Sequence, residues 1–154
     1  MSEGLKSRLD RTFIEAQKVK DTLRVSVLRM IKAEIKNREI DKKQVKLTED
    51  EMVQVINSAI KRHRESVEMF QKGGRKDLVD KETKEIAILL EFLPEQLSES
   101  KVREIVRSAI KSLNASSIKD LGNVMKEVIK ETKGKAEGKL VSQLVKEELE
   151  RLKS

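Results

Sequence analysis

Gly134, Lys135, Ala136, Glu137 and Gly138 form a five-residue link that carries chemistry most of this chain lacks. Lys133, Lys135 and Lys139 surround its two glycines, and amphipathic helical patterns lie on either side. Gly134 suits the residue just past one helix, and Gly138 opens the next. The first amides of that next helix have no acceptor inside it and carry the positive end of its dipole. With Lys135 and Lys139 on either side, such a turn is built to hold a phosphate of a nucleic-acid backbone. The competing reading is a tight inter-helix connection whose lysines face water. In neither reading does the link contain a nucleophile or a general base.

A second candidate surface lies in the N-terminal third. Arg24, Lys32, Lys36 and Arg38 fall largely off the apolar stripe of their helix, and Lys42, Lys43 and Lys46 continue into the following loop. Long cationic side chains also cover apolar surface in any bundle, which is the plainer account of them. Arg29 sits beside the buried stripe and is expected to tether one helix to another. Gly73-Gly74-Arg75-Lys76 looks like an anion loop, but helix termination explains both glycines.

His63 is the single histidine, flanked by Lys61, Arg62 and Arg64. It is read as facing solvent or phosphate, with no metal or acid–base role expected. The Asp and Glu residues, Glu147 and Glu148 among them, stand in i,i+3 and i,i+4 relation to Lys and Arg, the ordinary pattern of a solvated surface. No Walker-type or dinucleotide-binding glycine motif is present, and there is no cysteine. No catalytic residue, cofactor or metal is therefore expected.

Composition agrees with a binding role. The 154 residues carry a net charge of +7, with 40% charged and 37% hydrophobic residues and one proline. Residues 6–46 hold thirteen Lys/Arg against six Asp/Glu, and residues 101–139 hold ten against five. Residues 47–100 are slightly acidic. Two basic zones of this kind suit a polyanion or merely a soluble surface. With three Phe, no Trp and no Tyr, base stacking is nearly excluded, so any nucleic acid is held by backbone charge and shape. The N-terminus lacks the apolar run of a signal peptide and no stretch is apolar enough for a membrane span, so a cytoplasmic protein is expected.

The elements that must position these residues are all helices. Leu5, Leu9, Phe13 and Ala16 predict a first helix over 3–18. Asp21 or Thr22 caps a second, running to about residue 40 with Leu23, Val27, Leu28, Ile31 and Ile35 buried. Thr48 and Glu51 have capping-box spacing, with Leu47 as a hydrophobic staple. They start a helix carrying Met52, Val53, Ile56, Ile60, Val67 and Phe70 that stops at Gly73-Gly74. A fourth, over 76–91, presents Val79, Ile86, Leu89 and Leu90 and ends at Leu93-Pro94. Ser98 starts a helix with Val102, Ile105, Val106, Ala109, Ile110 and Leu113 inward. Ser117 and Asp120 repeat the capping-box spacing before Leu121, Val124, Met125, Val128 and Ile129. The last helix buries Leu140, Val141, Leu144, Val145, Leu149 and Leu152. Met30 and Met69 are assigned to packing. The expected fold is all-α, an N-terminal four-helix domain over 1–94 and a C-terminal three-helix domain over 95–154.

Four segments resemble the GatB/YqeY family across essentially the whole chain. They are L-R-M-I-K-A-E-I-K-N at 28–37, M-F-Q-K-G-G-R-K-D-L-V at 69–79, K-E-x-x-E-I-A-I-L-L-E-F-L-P-E-Q-L at 81–97, and G-K-A-E-G-K-L-V at 134–141. The family's free-standing members share a domain with the C-terminal tail of the B subunit of the aspartyl/glutamyl-tRNA amidotransferase. The resemblance implies an all-helical protein in two parts whose glycine-lysine turn, Gly134 to Lys139 here, contacts phosphate. In the amidotransferase the related tail approaches the outer corner of the tRNA, and catalysis occurs on other domains and subunits. Carbon–nitrogen ligase activity with glutamine as amido-N-donor thus attaches to such a chain by association alone.

Three functions follow. The leading one is a non-catalytic accessory module binding tRNA or other structured RNA through Lys133, Gly134, Lys135, Gly138 and Lys139, with Arg24, Lys32 and Lys36 as further contacts. The second is a protein-interaction adaptor for an amidotransferase or aminoacyl-tRNA synthetase complex, without RNA affinity of its own. The third is a component of amide transfer whose catalytic groups come from partners.

Overall fold

The computed structural model describes residues 3–152, so residues 1–2 and 153–154 of the expected domains lie outside it. Among the described residues all regular structure is helical, in seven α-helices and one 3₁₀ turn. The chain divides into two compact units between Leu93 and Pro94, each with its own apolar core.

The first unit comprises α1 (Leu5–Lys18), α2 (Thr22–Asp41), α3 (Glu49–Lys72) and α4 (Lys76–Leu90). Their boundaries are written in local chemistry. Asp21 caps α2 by accepting from the Arg24 amide at 3.1 Å. Thr48 Oγ1 accepts from the Glu51 amide at 3.1 Å, and Glu51 Oε1 accepts from the Thr48 amide at 3.0 Å, closing the capping box. Leu47 is buried in the same cluster as Met52, where a staple belongs. At the far end Gly74 takes φ +70°, and the Arg75 amide reaches back to the Phe70 carbonyl at 2.9 Å. That Schellman-type closure turns the chain from α3 into α4.

Leu5, Leu9, Leu28, Val55, Ile56 and Leu89 are at the centre of this unit's core. Polar ties link its helices at the rim. The Leu5 amide donates to the Glu49 carboxylate at 3.0 Å, and Arg8 donates to the Glu91 carbonyl at 2.7 Å while lying over the Phe92 ring. Arg29 lies 5.8 Å from the centroid of the Phe13 ring and ties α2 to α1, as expected of it. Met30 and Met69, however, are both 66% exposed, against the expectation that they pack. Val55, Ala59 and Ile88 are buried in their stead.

The second unit packs α5 (Glu99–Leu113), α6 (Leu121–Thr132) and α7 (Gly138–Arg151) against one another. Ser98 caps α5, and Asn114 ends it in the left-handed region at φ +53°. Ser117 and Asp120 shape a 3₁₀ turn, Ile118–Asp120, that leads into α6. Asp120 there accepts from the amides of Ser116 and Ser117. Val102, Val106, Val124, Val128, Val141, Leu144, Val145 and Leu149 fill the core. Leu113, Ile129 and Leu152, assigned inward from their spacing, are more than 40% exposed.

Glu148 corrects the surface reading of the acidic residues. It is 6% exposed, within the apolar stripe of α7. Arg103 Nη1 reaches its carboxylate at 2.9 Å, Arg107 Nε at 3.2 Å and Arg151 Nη1 at 3.4 Å. Burial pushes this carboxyl upward, but the guanidiniums of Arg107 and Arg103 outweigh that and hold it below the usual carboxylate range. The carboxylate thereby clamps α5 to α7. Glu147 shares Arg103 at 3.1 Å and is less buried.

Candidate nucleic-acid interface

The loop between α6 and α7 is shaped from both sides. On the α6 side, the buried Thr132 hydroxyl donates to the Val128 carbonyl at 3.0 Å, and the Lys133 amide closes the helix on the Ile129 carbonyl. Gly134 then takes φ +77°, a conformation costly for any residue with a Cβ. The Lys135 and Ala136 amides both return to the Thr132 carbonyl, at 2.8 and 3.1 Å. From the other side, the segment ahead of α5 fastens the loop's carbonyls. Gln96 Nε2 donates to the Gly134 carbonyl at 2.9 Å, and the Leu97 amide donates to the Lys135 carbonyl at 2.8 Å. Ala136 packs against the core, so the loop is a fixed scaffold.

Lys133, Lys135, Glu137, Gly138 and Lys139 are exposed, and Gly134 is buried beneath them. Among the described residues, none of the three lysines is in an ion pair. Helix α7 begins without a side-chain cap, and its first backbone bond runs from the Val141 amide to the Glu137 carbonyl at 3.0 Å. The amides of Gly138, Lys139 and Leu140 therefore precede the helical ladder and carry its positive dipole end. The structure thus gathers Lys133, Gly134, Lys135, Gly138 and Lys139 on one short, pinned loop.

The cations of α2 are arranged differently. Arg24 is half-buried and ion-paired to Glu91 at 2.7 Å and Asp21 at 3.4 Å, a tether from the start of α2 to the segment after α4. Lys32 pairs with Asp10 at 3.0 Å and stands 4.5 Å over the Phe13 ring. Arg38 pairs with Glu34 at 3.5 Å. Lys36 alone of these four α2 cations is exposed and outside an ion pair among the described residues. Arg75 is engaged with Asp77 next to the Gly73-Gly74 turn, which is a self-contained pair rather than an open anion loop.

His63 does not face open solvent as expected. Its side chain is 20% exposed, and Nδ1 contacts Glu82 and lies 3.2 Å from Glu85, both on α4. Burial, and then the Glu82 charge, raise the Glu85 carboxyl above its ordinary value. The signal for this cluster was present in the chain. His63 lies about as far before the Gly73-Gly74 turn as Glu82 and Glu85 lie after it, so an antiparallel hairpin brings them level. Glu148 was likewise legible, since it continues the Val141, Leu144, Val145 spacing by one more helical step.

Comparison with known proteins completes the picture. The chain matches the family described as Yqey-like protein over residues 6–149. It belongs to that family. Altered inheritance of mitochondria protein 41, mitochondrial, of Pyrenophora tritici-repentis is 30% identical over 143 residues, covering 91% of this chain and 78% of the relative. The protein of the same name from Kluyveromyces lactis is 40% identical over 75 residues, 49% of this chain and 40% of its own length. That from Vanderwaltozyma polyspora is 30% identical over 125 residues, 81% and 65%. These relatives are mitochondrial by name, so the expectation of a cytoplasmic protein finds no counterpart in them. Among the described residues no helix is long and apolar enough to cross a membrane.

Proposed function

We propose that this Yqey-like chain is a non-catalytic module that binds tRNA or another structured RNA through the phosphate backbone. The observation that carries the reading is the α6–α7 loop. Three exposed lysines without ion pairs surround the uncapped start of a 14-residue helix, on a loop pinned by Gln96 and Leu97. The amides and the ammonium groups are suited to phosphate oxygens, and the pinning means that little order has to be gained on binding. Lys36 is a second contact of the same kind, on the other unit. Arg24 and Lys32 contribute less, because each already has an internal anion.

The test is equilibrium binding of the full chain to bulk tRNA and to a duplex of similar size across a salt series. Binding selective for tRNA is expected, with log Kd changing by roughly 0.7–0.9 per log salt for each lysine–phosphate contact. The double variant Lys135→Glu, Lys139→Glu is expected to lose about tenfold or more in affinity and to lower that slope by about 2, with the helical fold intact. Weak and equal binding to both nucleic acids, unchanged by the charge reversal, would overturn the proposal. An adaptor for an amidotransferase or synthetase complex would then be the reading to pursue.

A further inference from the structure

His63, Glu82 and Glu85 form a donor set that the RNA-binding reading does not use. Each is largely withdrawn from solvent, with side-chain exposures of 20%, 18% and 12%. Glu82 and Glu85 stand one turn apart on the same face of α4, and His63 meets them from α3. Together with Ser26, Met30 and Glu34 they line a cavity of about 160 Å³. Given roughly 30 Å³ for a water, that space accommodates an ion and its remaining ligands.

The three donors are close enough to meet on one ion. One donor atom from each residue lies within 4.8 Å of the other two, and His63 Nδ1 is 3.2 Å from the nearer Glu85 oxygen. Two donors held about 2.0–2.1 Å from a tetrahedral ion stand about 3.3 Å apart, so the His63–Glu85 spacing already suits one. The direct His63–Glu82 hydrogen bond opens to admit the ion, which takes the place of the shared proton. Charge favours the same conclusion. One imidazolium cannot neutralise two carboxylates. Of the neighbouring cations, Arg62 is already taken by Glu34 at 2.9 Å, and Lys81 acts on Glu85 only at longer range. A divalent ion on a neutral imidazole balances both glutamates. A mixed nitrogen and carboxylate set selects zinc or a neighbouring transition metal over magnesium or calcium, which prefer all-oxygen surroundings.

We propose that the groove formed by α2, α3 and α4 binds a divalent transition-metal ion of the zinc class through His63 Nδ1 and the carboxylates of Glu82 and Glu85. Three protein ligands leave the fourth position to water, and the ion cross-links the α3–α4 hairpin. This site is independent of the lysine loop, so neither proposal depends on the other.

The test uses the full chain, stripped with chelator and titrated with Zn²⁺ by calorimetry, then with Co²⁺ by absorption spectroscopy. One ion per chain is expected, with the visible Co²⁺ bands of four-coordination and a rise in melting temperature that Mg²⁺ does not reproduce. Glu85→Gln keeps the shape of its side chain and His63→Gln keeps a polar side chain of similar size. Each removes one of three ligands and is expected to weaken binding by at least the roughly 10–100-fold that loss of an outer-shell partner costs. Glu104→Gln, an exposed control, is expected to bind as the parent does. Absence of saturable binding would overturn the proposal and leave the cluster as an internal ion pair. So would binding that both groove variants leave unchanged.

Discussion

Replacing Glu148 by alanine tests the account of the second unit most directly. The carboxylate is 6% exposed, and it accepts from Arg103, Arg107 and Arg151 at 2.9, 3.2 and 3.4 Å. Removing one partner of a fully buried pair costs about 3–5 kcal/mol, because the other charge is stranded. Here the arginines are not stranded, since the side chains of Arg107 and Arg151 are 54% and 64% exposed and Arg103 keeps Glu147. The expected cost is therefore at the lower side, about 2–3 kcal/mol with the small cavity included. Glu148→Gln, which keeps the shape and one acceptor oxygen, should cost about half of that.

The acid dependence has a definite sign. The folded carboxyl titrates below its ordinary value of about 4.3, so its contribution is complete at pH 7 and is lost as pH falls through the folded value. The gap between parent and Glu148→Ala should narrow on acidification. Amide hydrogen exchange in α5, α6 and α7 reads this unit separately from the first, which matters because all three phenylalanines, Phe13, Phe70 and Phe92, lie in the first unit. A variant within about 0.5 kcal/mol of the parent at pH 7 would refute the clamp, because surface substitutions commonly fall in that range. So would a gap that stays constant into acid.

The two loop glycines should respond oppositely. Gly134→Ala, at φ +77°, should cost about 1–2 kcal/mol, whereas Gly138→Ala, with ordinary φ and open space around the added Cβ, should be neutral or gain up to about 1 kcal/mol, both read from urea midpoints. Thr48→Ala should cost about 1 kcal/mol by losing the α3 cap while Thr48→Ser costs little, again by urea unfolding.

Much of the helix plan was legible because its signals are local. Asp21, Thr48, Ser98, Gly74 and Gly134 each act on backbone groups within a few residues, so the residue types alone locate those helix ends. The 3₁₀ turn at Ile118–Asp120 was not foreseen, since Ser117 and Asp120 serve a tight turn and a capping box with the same spacing. The α6–α7 loop was legible for the same local reason: a glycine at positive φ and a helix start are separated by three residues.

Periodicity marks a stripe, but not which part of it a neighbouring helix covers. Leu113, Ile129, Leu152, Met30 and Met69 lie at its margins and remain exposed, while Val55, Ala59, Ile88 and Thr132 are covered. Charge is less local still. Arg24 and Lys32 carry the same composition signal as Lys36, and only the approach of Glu91 and Asp10 separates internal tethers from an open cation. Sequence alone thus determined an all-helical chain, most of its helix ends and the lysine loop, all consequences of short-range backbone chemistry. Tertiary packing decided the partners of Glu148 and the meeting of His63 with Glu82 and Glu85, because a side chain's electrostatic environment is set by whatever the fold brings within a few ångströms of it.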